Sequence, residues 1–353
     1  MTTDFRPTKF LSTGNTVLNL ALTGRRDEGI GEGHYVFFVG DSSSGKTWWS
    51  LQILAEACND PRFDDYLIIF DNAENGAQMD VTRFFGKKLA ARLRYPWYGT
   101  KGKDEGSNSR TVEELYRNLR ALQDAGKPFI YLLDSENALT SEYAIAKAAE
   151  MDTQVSGGAK AKKDYGDGKA AAHSRNIRDI VQRLQETGSI LVVLAQTRDN
   201  IEAGQFEEQK TRAGGHALTF YSSAEVWTSV GQKITKAYKG NDVQVGTYCN
   251  IKTKKNRNSG QVRFVRVPFY NDMGIDEVGG CIDFLTHWKR WKTDKEGVIN
   301  CAPDFEFAAR REAVAAFVEA NDLQKELSEL VQEVWNDIAE AIKTDRKPRY
   351  ADR

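Results

Sequence analysis

The sequence predicts an α/β protein with a mostly parallel central sheet flanked by helices. Two observations carry that expectation. Four short runs, Tyr35 to Val39, Tyr66 to Phe70, Phe129 to Leu133 and Ile190 to Ala195, are apolar almost throughout, as strands buried on both faces are. Helical patterns separate them over Trp48 to Cys58, Thr111 to Ala125 and His173 to Glu186. Strand, helix, strand at this spacing gives parallel pairing through crossovers.

Taken in order, the chain enters through Phe5 to Phe10, which could supply one short extended stretch. Trp48 and Trp49 follow the first strand closely and read as core packing. After Gly214 the texture changes: Val243 to Lys254 and Gln261 to Phe269 flank the turn-rich Asn256 to Gly260, the pattern of a hairpin. From Asp304 onward Phe307, Val314, Phe317 and Val318, then Leu327, Leu330, Val331, Val334 and Ile338, recur at helical spacing. The expected organisation is a short N-terminal arm over 1–10, a core over 11–290 and a small helical C-terminal appendage over 291–353. Asp152 to Lys169 and Asp199 to Gly215 fit no regular element. Loops that long inside a compact core are surface insertions or, more often, functional.

The 353 residues carry 49 Lys and Arg against 50 Asp and Glu, a formal net charge of −1. That excludes a uniformly basic coat for nucleic acid, but not a local basic groove. The stretch from Ala302 to the end holds 12 acidic and 8 basic residues, so the rest of the chain is net positive. Cys58, Cys249, Cys281 and Cys301 are far apart in sequence and suggest neither a disulfide framework nor a zinc site. The N-terminus lacks an apolar targeting segment, and no apolar run approaches the ~18 residues of a membrane span. A cytoplasmic protein with no membrane partner is expected.

Gly40-Asp41-Ser42-Ser43-Ser44-Gly45-Lys46-Thr47 matches G-x-x-x-x-G-K-[ST] directly after a predicted strand and before a predicted helix. In that context the glycines let backbone N–H groups turn toward phosphates, and the helix N-terminus adds partial positive charge. Lys46 supplies the mobile cation and Thr47 a hydroxyl for Mg²⁺. ATP and Mg²⁺ are the expected cofactors. A phosphate loop also needs a carboxylate at a neighbouring strand tip, and the run Phe129 to Leu133 ends in Asp134. Hydrolysis needs a further carboxylate to orient water. Glu136, just past Asp134, and Glu74, in Asp71-Asn72-Ala73-Glu74, are both candidates.

At this point the chain resembles the RecA family of strand-exchange ATPases, including its phage UvsX-like branch, over roughly Phe10 to Leu285. Ser12-Thr13-Gly14 with Leu18 to Leu22 resembles the family's entry into the core, and Gly40 to Thr47 its Walker A loop. Leu132-Leu133-Asp134-Ser135 resembles its Walker B stretch, and Gly274 to Leu285 the segment closing the phage-type core. The resemblance of Ile69 to Glu74 implies Glu74 as the catalytic glutamate, one residue further along than usual, and that of Ile190 to Gln196 implies Gln196 as the γ-phosphate sensor. Gly214 to Ser223 is the most specific family stretch after the phosphate loop.

The two unassigned stretches fall where the family carries DNA-binding loops. The resemblance implies DNA contacts for Lys160, Lys162, Lys163 and Lys169 in the first, and for Arg198, Phe206, Lys210 and Arg212 in or beside the second. The second stretch is acidic on balance when Arg198 is counted with it. The hairpin from Tyr248 to Asn271 holds no Asp or Glu. Lysines near this place act across the subunit interface in the family, and Lys254 and Lys255, with Arg257 in reserve, are the nearest matches. One departure is the short segment before the core entry, about ten residues against the family's usual thirty.

The function so implied is a DNA-dependent ATPase that binds single-stranded DNA and promotes homologous pairing and strand exchange in recombination and repair. Its implied partners are single-stranded and homologous duplex DNA, further copies of itself in a filament or ring, a single-strand-binding protein and a loader. Two alternatives stand beside it: a hexameric helicase-type motor on the same core, and a nucleotide-gated scaffold without strand exchange.

Overall fold

The computed structural model describes residues 6–96, 107–156, 167–199, 210–212 and 215–346. The principal strands are β1 (Tyr35–Gly40), β2 (Leu67–Asp71), β3 (Phe129–Leu133), β4 (Ile190–Asp199), β5 (Lys210–Arg212), β6 (Ala224–Tyr238), β7 (Asn241–Asn256) and β8 (Phe264–Tyr270). The principal helices are α1 (Thr16–Thr23), α2 (Lys46–Asn59), α3 (Val81–Arg92), α4 (Val112–Asp124), α5 (Glu142–Ser156), α6 (Lys169–Thr187), α7 (Gly215–Tyr221), α8 (Glu277–His287), α9 (Arg311–Ala320) and α10 (Gln324–Ala341).

Among the described residues one ten-stranded mixed sheet organises the fold, with the order β8, β7, β6, β1, β4, β3, β2 between two short edge strands and β5 on the flank of β4. The strands from β6 across to β2 pair in parallel, and β6, β7 and β8 pair antiparallel. This is a RecA-like α/β core. The continuous apolar runs work because both faces are covered. In β1, Val36 and Phe38 enter the layer holding Leu18, Trp49, Leu54 and Phe85, whereas Tyr35, Phe37 and Val39 enter the layer holding Tyr116, Leu119, Ile177 and Leu184. Each such side chain contributes about 1.5–3 kcal/mol on burial.

The hairpin expected from sequence is present, with β7 and β8 registered from Lys252 opposite Phe264 to Gly246 opposite Tyr270. The structure adds a longer hairpin that the sequence reading did not contain. β6 runs beside β1 from Ala224 to Thr228 and continues to Tyr238, roughly 33 Å at 3.3 Å per residue, before β7 returns.

The C-terminal part packs its own apolar cluster, with Cys281, Ile282, Leu285 and Trp291 against Val314, Val318, Leu327 and Val331. Arg311 joins it to the core side by donating to Asp283 Oδ1 at 2.7 Å and Asp276 Oδ2 at 3.1 Å. The purely helical reading of this part needs one correction. It also contains a three-stranded sheet of Lys292–Thr293, Val298–Asn300 and Ala308–Arg310, whose strands are too short to show a period in sequence. The Asp152 to Lys169 stretch is corrected likewise: α5 extends through Ser156, and Lys169 opens α6.

Candidate nucleotide site

The phosphate loop sits at the C-terminal end of β1, where β4 lies on one side and β6 on the other, the kind of crevice in which α/β sheets bind ligands. Gly40 is opposite Gln196 and Thr228 in register. A Cβ on Gly40 would lie 2.1 Å from Thr228 Oγ1 and 2.5 Å from its main-chain oxygen, so only glycine fits the close approach to β6. Gly45 caps α2 at φ 82°, in the left-handed region, which frees the loop to turn into the helix. Lys46 Nζ donates to Gly40 O at 2.9 Å and Asp41 O at 2.7 Å, folded back over the loop. Burial pulls its ammonium below the usual lysine range, opposed by the carboxylates of Asp134, Glu74 and Asp41.

Thr47 Oγ1 donates to Asp134 Oδ2 at 2.6 Å. Asp134 is only 4% exposed, and burial pushes its carboxyl up; the Thr47 hydrogen bond opposes that, Glu74 adds to it and Lys46 opposes it. A hydroxyl and a carboxylate so paired are a hard-oxygen donor set suited to Mg²⁺, which takes only one or two protein oxygens. Among the described residues no cluster of three or more His, Cys, Asp or Glu could hold a metal by itself.

Glu74 follows β2, and its turn is tied to the tip of β3: Asp134 N donates to Asp71 O at 2.8 Å and Glu74 N to Asp134 O at 2.9 Å. Asp71 is buried and accepts from Ser109 N at 2.8 Å and Tyr131 Oη at 2.5 Å, so it supports this end of the sheet from within. The exposed Glu74 carboxylate accepts from Ser135 Oγ at 3.0 Å and from Gln196 Nε2 at 3.0 Å. A cleft of about 520 Å³ is lined by Lys46, Thr47, Asp134, Glu74 and Gln196. Trp48, Met79 and Phe269 add apolar wall. Of the tryptophan pair, Trp49 is fully buried, whereas Trp48 reaches the cleft and meets Phe84, Phe85 and Phe269 edge-on or tilted.

Glu136 is elsewhere. Its side chain is fully buried behind the strand tip, with Oε1 3.0 Å from Lys169 Nζ and 3.3 Å from His173 Nε2. Burial pushes the carboxyl up, but His173 and Lys169 outweigh it and hold it below the usual range. The same contact corrects the reading of Lys169 as a DNA contact, since its ammonium faces inward and is only 9% exposed.

Lys210 reaches the phosphate loop, its Nζ 2.5 Å from Asp41 Oδ2, and Thr197 Oγ1 donates to Asp41 Oδ1. Arg212 turns inward to the buried Glu225 at 3.3 Å and to Thr219 Oγ1, which corrects its reading as a DNA contact as well. Arg198 is exposed at the end of β4. Lys160, Lys162, Lys163 and Phe206 lie outside the described residues.

Lys254, Lys255 and Arg257 lie at the other end of the sheet. Lys255 is opposite Glu225 on β6, and Glu225 is opposite Phe37 on β1, three residues before Gly40. Lys255 Nζ donates to Thr219 O at 2.5 Å and Phe220 O at 2.8 Å, and Arg257 Nη2 to Phe220 O at 2.6 Å. Burial, with Arg257 nearby, lowers Lys255 to about 8. Lys254 Nζ sits 3.4 Å from the centre of the Trp227 ring.

No family model matches the chain. It is similar to protein RecA of Borreliella burgdorferi strain ZS7, 26% identical over 332 residues that cover 92% of this chain and 80% of that protein. Protein RecA of a Nitratiruptor species is 26% identical over 340 residues, 96% of this chain and 86% of that protein. Protein RecA of Helicobacter hepaticus is 27% identical over 274 residues, 78% of this chain and 69% of its own. The chain is thus similar to RecA proteins along most of its length, and it joins to that likeness a RecA-like core and a phosphate loop at the crevice.

Proposed function

We propose that the chain is an ATPase of DNA recombination and repair, using Mg²⁺, that binds single-stranded DNA and promotes homologous pairing and strand exchange. The observation that carries the hydrolytic part is Glu74, held by Ser135 and Gln196 beside Lys46 and the Thr47–Asp134 pair in one cleft. Gly40 to Thr47 would wrap the phosphates with main-chain N–H groups, and Lys46 would leave its two carbonyl acceptors for them. Thr47 and Asp134 would hold Mg²⁺, which when bound neutralises charge on the phosphate oxygens. The Glu74 carboxylate accepts a proton from, or orients, the attacking water. Gln196, an amide that both donates and accepts, is free to exchange Glu74 for a phosphate oxygen and so register nucleotide state.

Lys255 stands about 10 Å back along the strands from its own phosphate loop, with Arg257 further on toward the opposite end of the sheet and Lys254 beside it in sequence. That supports their acting on a neighbour's nucleotide rather than their own, with ATP between copies of the chain. We further propose kinship with the phage UvsX-like branch, which the resemblance of Gly274 to Leu285 supports.

The test is ATP turnover by the purified chain with and without single-stranded DNA, alongside pairing of homologous strands. Stimulation by DNA together with pairing is the expected result. Turnover without any response to DNA favours the scaffold reading, and closed rings seen by negative stain with ATP and DNA favour the helicase reading.

A further inference from the structure

Three consecutive residues after Asp134 divide their work in an unusual way. Ser135 Oγ donates to Glu74 Oε2 at 3.0 Å. Asn137 Oδ1 accepts from the main-chain N–H of Gln196 at 2.7 Å. Between them Glu136 points the other way, into a closed cluster with α4 and α6. The residues on either side of Glu136 thus hold the two members of the Glu74–Gln196 pair, while Glu136 itself holds neither.

The cluster fixes Glu136 at two points. Lys169 Nζ lies 3.0 Å from its carboxylate and donates to its main-chain oxygen at 2.9 Å. His173 Nε2 is 3.3 Å from the same carboxylate oxygen, and His173 Nδ1 is 2.9 Å from the Tyr116 hydroxyl. A neutral imidazole satisfies both contacts if Tyr116 donates to Nδ1 and Nε2 donates to Glu136. The buried charges then balance as one carboxylate and one ammonium. Among the described residues the second carboxylate oxygen has no hydrogen-bond partner, and with a neutral imidazole Lys169 is the counter-charge on the first. Stability alone does not call for this arrangement, because an apolar pair of similar volume is commonly as stable as a buried ion pair. The ion pair adds direction, since it clamps side chain and main chain of one residue in the turn.

We propose that Glu136 is a positioning residue: anchored from behind by Lys169 and His173, it sets the turn whose flanking residues Ser135 and Asn137 hold Glu74 and Gln196 over the phosphate cleft. The inference rests on the hydrolytic reading of that cleft and adds a part of the machinery that touches neither nucleotide nor metal.

The test compares full-length Lys169→Met, Lys169→Arg and the apolar double variant Glu136→Met/Lys169→Met. Affinity is read with a fluorescent ADP analogue and Mg²⁺, turnover by steady-state hydrolysis, and the turn by amide exchange over residues 72–75. In Lys169→Met, kcat should fall by about 10²-fold while ADP-analogue affinity stays within about twofold, the mark of misalignment rather than lost binding. Exchange over residues 72–75 should quicken although Lys169 does not touch them. Lys169→Arg should recover most of the rate. The double variant guards against a folding failure: it should regain stability without regaining kcat. Unchanged kcat, rate recovery in the apolar double variant, or unaltered exchange over residues 72–75 would each overturn the proposal. Absence of turnover in the unmodified chain would instead sink the hydrolytic reading, and the exchange data would still decide the positioning role.

Discussion

Gln196 donates its side-chain amide to Glu74 at 3.0 Å, joining β4 to the turn after β2 across the intervening strand β3. Two residues separated by 122 positions in sequence therefore face one cleft, and neither is fixed by burial. A phosphate oxygen arriving between them has an amide to recruit and a carboxylate to leave free for water.

Glu74→Gln keeps the size and hydrogen-bonding reach of the side chain but removes the base. Turnover should drop about 10²–10⁴-fold with nucleotide affinity retained, as single-turnover and equilibrium-binding measurements would show. Lys46→Ala should instead abolish nucleotide binding. Full turnover in Glu74→Gln would remove Glu74 from the chemistry, and Glu136 is too enclosed to replace it.

Gly40→Ala forces a methyl group to within 2.1 Å of Thr228 Oγ1 and 2.5 Å of the main-chain oxygen of the same residue. The hydroxyl can rotate away but the carbonyl cannot. The expected cost is about 1–3 kcal/mol in chemical denaturation, with weakened nucleotide affinity because the loop is displaced from β6.

Lys255 carries the pH dependence. Its ammonium, lowered by burial and by Arg257 to about 8 from the ordinary 10.5, is partly neutral at alkaline pH in the separate chain. If Lys255 meets a neighbour's phosphates as proposed, that contact would favour the charged form and raise the value. Assembly with nucleotide then takes up a proton, so it should be strongest below pH 8 and weaken as pH rises through about 8. Light scattering with an ATP analogue across pH 7 to 9 measures this. Lys255→Arg should flatten the profile, because a guanidinium keeps its charge throughout.

Arg311 holds Asp283 and Asp276 at once; burial works to lower its pKa, but the two carboxylates outweigh it and hold the guanidinium above its already high ordinary value. Arg311→Met leaves two partly buried carboxylates without their cation. The loss should be about 3 kcal/mol, at the lower end for a broken buried pair because some solvent still reaches the group. Thermal unfolding would show it, and nucleotide affinity should not change, since Arg311 is not among the residues lining the cleft.

What could be read from the sequence followed the strength of each local signal. The runs of β1, β3 and β4 are apolar on both faces and bounded by turns, so period and composition agreed on buried strands. The phosphate loop was legible because its residue types and its place between strand and helix constrain one another. β6 was not, because it is buried only as far as Thr228 and then leaves the sheet's covered region, so no single pattern runs its length. Glu74 and Glu136 could not be separated by spacing, since both closely follow a strand tip. Their roles diverge through Lys169 and His173, more than thirty positions away. Lys169 and Arg212 looked like solvent-facing cations among glycines and polar residues, and only the buried Glu136 and Glu225 explain why they turn inward.

The separation of the phosphate loop from Lys255 and Arg257, at opposite ends of one sheet, has an arithmetic consequence. If a working site needs both, each copy of the chain brings two unlike halves. An open row of copies then has one complete site fewer than it has subunits, and a closed ring has as many sites as subunits. Activity per subunit would climb with concentration and level off in a row as it lengthens. In a ring it would rise in one cooperative step, so a dilution series of turnover rates would distinguish the two geometries without an image.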